Sequence, residues 1–141
     1  MSTRPLQQVI ASTRSVLADV TPDQMQNPTP CASWDVAGLI NHLVGAQHFF
    51  AAGIKGQPPT GADSDFAVGD YLAAYDEATA ALVACLEADG VMQSTVKMPF
   101  GEMPAAAVMG LAMNDTFTHG WDLAKATGQS TDIAPELAAQ I

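Results

Sequence analysis

Basic residues are scarce in this chain of 141 residues, which has 5 Lys and Arg against 15 Asp and Glu and a formal net charge of −10 at pH 7. Binding to a nucleic-acid backbone needs clustered Lys and Arg, and so does attraction to an anionic membrane surface. The sequence therefore predicts neither partner. The acidic residues are spread along the chain, which is typical of a surface that keeps a protein in solution.

Cysteine and long apolar runs are also scarce. Cys31 and Cys85 do not make a disulfide framework, and Cys31 is interpreted as a packed residue without a catalytic role. The longest apolar stretch, residues 105–113, is far shorter than the roughly 20 residues that cross a bilayer. The first 20 residues lack the apolar segment of a secretory signal. These absences predict a cytoplasmic protein. Common nucleotide-binding, zinc-protease and serine-hydrolase motifs are missing as well.

Apolar residues recur at helical spacing in four parts of the chain, which predicts one all-α domain over residues 1–141 arranged as a four-helix bundle. Ser33 is the predicted N-cap of the second helix, and Pro104 the first residue of the fourth. Gly128 is predicted to end the fourth helix, and Pro135 could open a fifth. The predicted helices cover about residues 6–20, 34–53, 70–88 and 104–127; residues 26–32 and 57–68 are predicted as connectors, and 91–100 as extended or turn structure.

The chemistry of the chain depends on three histidines and their acidic neighbours. Asp115 and His119 are four residues apart on the predicted fourth helix, so that they project from one face, about 6 Å apart. Such a pair can give a divalent ion one carboxylate oxygen and one imidazole nitrogen, and His42 could supply the third ligand from the second helix. Two histidines and one carboxylate would leave coordination positions open, as in catalytic zinc or iron sites. The spacing by itself favours an ordinary solvated acid and a packed histidine.

Other polar and aromatic residues were weighed beside this trio. His48 lies about 240° around the helix from His42 and is left out of the site. Asp122, seven residues after Asp115, could be a fourth ligand, an acceptor for an imidazole N–H, or a solvated acid. Trp34 and Trp121 could wall a pocket, although core packing explains both more simply.

Two blocks of sequence resemble a known family. TPCASWDVAGLINHL (29–43) resembles the TPC-x-x-W-x-V-x-x-L-x-x-H-L opening of an actinobacterial metal-binding family, and DTFTHGWDLAKATG (115–128) resembles its D-x-x-x-H-x-W-D-L-A-x-A-T-G signature. GEMP (101–104) matches the usual lead-in to that helix. The family belongs to the DinB/YfiT-like superfamily and is related to the N-terminal domain of mycothiol-dependent maleylpyruvate isomerase.

The resemblance implies a DinB-like bundle in which His42, Asp115 and His119 hold a divalent metal ion. Zinc suits such a site best, and nickel, iron or manganese are alternatives. Aspartate stands where the isomerase has glutamate, one methylene longer. Relatives usually continue beyond the position of Ile141 with further helix, and the isomerase has a second domain, for which no counterpart is expected here.

The same resemblance implies a thiol transferase or isomerase that activates mycothiol or a similar thiol, such as bacillithiol, against an electrophilic substrate. With so few cationic residues, a carboxylate-rich substrate is not expected. Two alternatives stay open: a metal-binding protein without catalysis, such as a dimeric sensor, and a metal-free interaction bundle. Because relatives pair through bundle faces, a homodimer is also an expectation.

Overall fold

The computed structural model describes residues 2–59, 61 and 64–135, and in this part of the chain four α-helices form a bundle, as predicted. A two-stranded antiparallel hairpin connects the third helix to the fourth. The elements are α1 (Arg4–Ala18), α2 (Val36–Lys55), α3 (Tyr71–Glu87), β1 (Thr95–Met98), β2 (Gly101–Pro104) and α4 (Ala105–Ala126).

The start of α2 differs from the prediction, because Asp35 and not Ser33 is the N-cap. Ser33 and Trp34 belong to a turn in which the Trp34 N–H donates to the Cys31 carbonyl at 3.1 Å. Asp35 is extended, and its carboxylate accepts from the Gly38 N–H at 2.9 Å. The helix therefore begins at Val36, where a carboxylate both satisfies a free amide and complements the helix dipole.

The segment before α4 contains more regular structure than the sequence indicated. A short 3-10 turn at Val91–Gln93 precedes β1, and residues 99–100 form the turn of the hairpin, in agreement with the predicted turn. Pro104 is the last residue of β2 and pairs with Thr95, so the prediction that it opens the helix is wrong. The reason is the strand pairing, which keeps Pro104 extended until Ala105.

The other predicted boundaries agree with the structure to within two residues or so. Asp70 caps α3, and Gly128 follows α4 with a φ of 72°, as a residue that ends a helix in the left-handed region. The described positions of the connector 57–68 contain no helix or strand. A fifth helix after Pro135 lies outside the described residues.

The bundle is held together by extensive contacts of α1 with α4 and of α2 with α3, and by further contacts between α2 and α4. Its apolar core has two parts: one, near the hairpin, receives Ala105, Val108, Met109 and Ala112 of α4, and the other receives Leu123 and Ala124. Asp115 and His119 lie on α4 between these two stretches. Among the described residues, no helix has both the length and the apolar character that crossing a bilayer requires.

Candidate metal centre

The structure brings together the three side chains that the sequence singled out. Asp115 and His119 project from one face of α4, and His42 reaches the same point from α2. The Asp115 Oδ1 atom lies 3.0 Å from the His42 Nε2 atom and 3.4 Å from the His119 Nε2 atom. Among the described residues, this is the one group of at least three His, Cys, Asp or Glu side chains that could hold a metal ion, and its ligand atoms all lie within 4.8 Å of one another.

A carboxylate and an aromatic ring fix the orientation of the two imidazoles. The His119 Nδ1 atom lies 3.1 Å from the Asp122 Oδ2 atom, so the Nδ1–H can donate to that carboxylate. The Nε2 atom of His119 is then the one that faces Asp115. The ring of His42 stacks on Trp34, with ring centroids 4.5 Å apart and an angle of 25° between the planes. Each imidazole is therefore held with its Nε2 atom towards the same carboxylate.

Asp115 is partly buried, and its electrostatic state depends on the two histidines. Burial by itself raises the pKa of this carboxyl, but the interactions with His119 and His42 outweigh burial and lower the pKa to about 2. The interaction with Asp115 raises the pKa of His119; burial opposes this rise and Asp122 adds to it. A negative charge at Asp115 thus favours a positive charge between it and the imidazoles.

These residues fit a divalent metal ion. Two imidazole nitrogens and a carboxylate oxygen within 4.8 Å of one another are a donor set that a divalent ion such as zinc takes from proteins. The second oxygen of Asp115, Oδ2, is buried and has no hydrogen-bond partner. An uncompensated buried carboxylate oxygen is costly, and a cation beside it would remove that cost.

Buried polar contacts fix the spacing of the helices that carry the site. Gln47, one turn beyond Leu43 on α2, donates through its amide nitrogen to the Thr116 hydroxyl at 2.9 Å. The Thr13 hydroxyl of α1 donates to the Thr116 carbonyl at 3.1 Å. These contacts join α1, α2 and α4 next to Asp115. The sequence does not predict these contacts, because polar residues in an apolar helix face give no signal of their partner.

An apolar cleft opens beside the trio. It has a volume of about 500 Å³, and Asp115 and His119 form part of its wall. The remaining lining residues are Phe49, Phe50, Phe100, Leu111, Asn114 and Thr118. We call the cavity formed by all eight residues the phenylalanine cleft. Sequence reasoning missed this cleft, since its residues come from α2, the hairpin turn and α4.

The other residues that were weighed have distinct positions. His48 stacks on Phe66, away from the trio, as expected for a residue left out of the site. Asp122 faces His119 as an acceptor, one of the three roles considered for it. Trp34 contacts the site directly and also packs, partly buried, against the apolar core, so core packing describes it in part. Trp121 is exposed and lies under the Lys125 ammonium group, a position that core packing does not describe. Cys31 is partly buried and Cys85 buried, and both thiols are free.

Comparison with known proteins places these observations in a family. The family model of the mycothiol maleylpyruvate isomerase N-terminal domain matches residues 6–124. The chain belongs to this family. Two uncharacterized proteins from different strains of Mycobacterium tuberculosis are each 41% identical to it over 128 residues, which is 89% of this chain and 67% of theirs. No solved structure gives a significant match.

Membership of the mycothiol maleylpyruvate isomerase N-terminal domain family agrees with the resemblance that the two sequence blocks indicated, and the helical bundle is consistent with the DinB-like superfamily. The matched range contains His42, Asp115, His119 and Asp122. It ends at Ala124, two residues before the end of α4.

Proposed function

We propose that this protein binds a divalent metal ion through His42, Asp115 and His119. The convergence of these groups carries the proposal: two imidazole nitrogens and a carboxylate oxygen lie within 4.8 Å of one another, although the residues come from two helices. The donor set of two nitrogens and one oxygen suits zinc, and also iron, nickel or manganese. The buried, unpartnered Asp115 Oδ2 atom supports a cation at this place.

We propose further that the site serves a thiol transferase or isomerase. A divalent cation bound there would lower the pKa of a thiol and so raise the fraction of thiolate, the nucleophilic form. The thiolate sulfur then donates an electron pair to an electrophilic carbon and forms a C–S bond. In a transfer, the leaving group departs with the electron pair of the broken bond and takes up the proton that the thiol lost. In an isomerisation, the C–S bond breaks again and the thiolate leaves with its electron pair. Membership of a mycothiol-related family supports mycothiol, or a similar small thiol, as the nucleophile.

The protein's own residues would contribute orientation and access. Asp122 and Trp34 hold the two imidazoles with their Nε2 atoms towards Asp115. The side chains of the trio keep part of their surface accessible, 28% for His42, 24% for Asp115 and 17% for His119. Three protein ligands with an accessible face are typical of catalytic metal sites, whereas structural zinc sites have four protein ligands.

Metal content tests the first part of this proposal. Protein purified without a His-tag and loaded with zinc should carry about one ion per chain, and His42→Ala should lose it while its circular dichroism stays unchanged. The matched control is His48→Ala, which removes an imidazole from the same helix but outside the trio. Unchanged metal content in His42→Ala, or equal loss in both variants, would contradict the site.

Thiol binding tests the second part. Isothermal calorimetry of the zinc-loaded protein with mycothiol should show binding that the metal-free protein lacks, and a panel of electrophiles should show metal-dependent C–S bond formation. Metal binding without any thiol binding would favour the alternative of a non-catalytic metal-binding protein.

A further inference from the structure

The phenylalanine cleft exposes large apolar side chains to solvent next to the polar trio of His42, Asp115 and His119. Phe100 is 56% exposed and Leu111 is 41% exposed, and they are two of four large apolar side chains with such exposure in the described part of the chain. Both line this one cleft. Exposed apolar side chains that cluster in a cleft beside polar groups indicate a binding site more often than single exposed apolar residues do.

The aromatic wall of the cleft is built from two elements. Phe49 on α2 stacks against Phe100 in the hairpin turn, with ring centroids 6.4 Å apart and 27° between the planes. Phe49 also meets Phe50 edge to face at 5.6 Å. The hairpin between α3 and α4 thus holds an aromatic ring over the cleft, and Leu111 lies one helical turn before Asp115. This wall offers flat, apolar area within the same cavity as Asp115 and His119.

Away from the trio, the charges that line the cleft favour an uncharged occupant. Among the described residues, the lining contains no lysine or arginine; its carboxylate is Asp115 and its imidazole is His119. The five basic residues of the chain lie elsewhere: Arg4, Arg14, Lys55, Lys97 and Lys125. The chain as a whole carries a formal charge of −10, which repels anions over several ångströms. Asn114 and Thr118 supply neutral polar groups at the rim.

We infer that the phenylalanine cleft binds the uncharged aromatic or aliphatic body of the electrophile and presents its reactive carbon beside Asp115 and His119. That the ligand is an electrophile rests on the proposed thiol chemistry. The preference of the cleft for an uncharged apolar body does not require a metal ion. The volume of about 500 Å³ falls within the range of small-molecule sites, about 300–1,000 Å³. The substrate class is therefore an electrophile with an uncharged apolar body.

A pair of unreactive probes tests the preference for a neutral body. 1-Naphthalenemethanol and 1-naphthoate share one ring system and differ in charge. Titrated into the full-length protein in EDTA and followed by two-dimensional amide NMR, the alcohol should bind more tightly than the carboxylate. Its chemical-shift changes should centre on Leu111, Asn114 and Thr118. Because Phe100 is exposed in a turn, Phe100→Ala should fold and should weaken alcohol binding about tenfold through the loss of buried ring area.

The control is Val68→Ala, which shortens another exposed apolar side chain outside the cleft and should leave binding unchanged. Absent binding, tighter binding of the carboxylate, or equal affinity in Phe100→Ala and wild type would each overturn the assignment. His42→Ala separates the two proposals, because it should lose metal and keep alcohol binding. If the wild-type protein binds no metal but still binds the alcohol in a Phe100-dependent manner, the metal proposal is contradicted and the preference of the cleft is supported.

Discussion

His119 contacts two carboxylates of the candidate centre, one through each ring nitrogen. Its Nε2 atom faces Asp115 at 3.4 Å, and its Nδ1 atom faces Asp122 at 3.1 Å. A neutral imidazole that donates through Nδ1 has its lone pair on Nε2, where it points at another electron-rich atom, the Asp115 oxygen. That arrangement is favourable only when a proton or a metal ion lies between them. The geometry therefore connects metal binding and protonation at a single ring.

Asp122 should strengthen metal binding without touching the ion. Asp122→Asn keeps the shape of the side chain but removes the negative charge that orients and polarises His119, so zinc affinity should fall about 10- to 100-fold. Competition with a chromogenic chelator measures this change. Asp132→Asn, which alters an exposed aspartate outside the site, should leave the affinity as in wild type. Equal affinities for all three proteins would show that Asp122 has no role in the site.

The metal-free protein should become less stable as the pH rises through neutrality. The pKa of folded His119 is raised above its usual 6.5, so its protonated ring favours the folded state. This contribution is complete below about pH 6.5 and is lost as the pH rises through the folded value. Urea unfolding in EDTA from about pH 6 to 8 should show the loss, with a smaller slope for His119→Gln. The lowered pKa of Asp115 acts only far below this window, as the pH falls from about 3.8 towards 2. A stability that rises over the same range in wild type would contradict the ion pair.

The sequence predicted part of this residue-scale picture. The i,i+4 spacing indicated that Asp115 and His119 share a face. The helix pattern allowed His42 as a third ligand from 73 residues away, and the family resemblance made it the expected one. Periodicity also placed Asp122 near the same face without choosing among its roles. The stacking of Trp34 on His42 was missed, because a tryptophan just before a helix gives no sign of which ring it will contact.

At the scale of elements, α1 and α4 approach each other closely where Gly120 meets Thr13. A β-carbon at Gly120 would overlap the Thr13 hydroxyl and lie 3.1 Å from the Thr13 β-carbon. The missing side chain thus allows the contact that keeps α4 against α1, directly after His119. Gly110 on the same helix has no atom within 4 Å of an added β-carbon and makes no such demand.

Gly120→Ala and Gly110→Ala should therefore have opposite effects. We expect Gly120→Ala to lower the free energy of unfolding by about 1–3 kcal/mol, because the overpacked interface must shift. Gly110→Ala should raise it by roughly 0.5–1 kcal/mol, because alanine reduces the entropy that the chain loses on becoming helical. Urea denaturation measures both. A stabilising Gly120→Ala would contradict the close packing of α1 on α4.

The buried contact between α2 and α4 gives a second prediction at this scale. Thr116→Val removes the hydroxyl that accepts from the Gln47 amide and leaves that buried N–H without its partner, which should cost about 1–3 kcal/mol of unfolding free energy. Thr118→Val makes the same change on the accessible side of α4 and should cost less than about 0.5 kcal/mol. Equal costs in urea denaturation would show that the buried contact contributes nothing.

The elements themselves were largely predictable, and the exceptions have local causes. Apolar periodicity indicated all four helices, because each buries one face in the bundle. The start of α2 was misplaced by two residues, since Ser33 and Asp35 are both good caps and the turn closed by Trp34 decides between them. The hairpin before α4 was seen only as an extended or turn segment. Short strands depend on their pairing, which single-sequence periodicity does not report.

At the scale of the whole molecule, the acidic surface and the apolar cleft act in the same direction. The charge of −10 favours the approach of cations, and a cleft that has no lysine or arginine among the described residues would favour the uncharged occupant that we propose. The bundle supplies a rigid frame, since the candidate ligands stand on two packed helices and not on loops. The pairing of two copies and the identity of the metal stay predictions from the family resemblance.

The central claim is that His42, Asp115 and His119 share one cation, and anomalous X-ray scattering from crystals of the purified protein tests it most directly. Data collected above and below the absorption edge of the metal found in the preparation should give one strong difference peak per chain. We predict that this peak lies among the two Nε2 atoms and the Asp115 carboxylate. A peak elsewhere, or ordered side chains at the trio in metal-loaded crystals with no peak between them, would contradict the account.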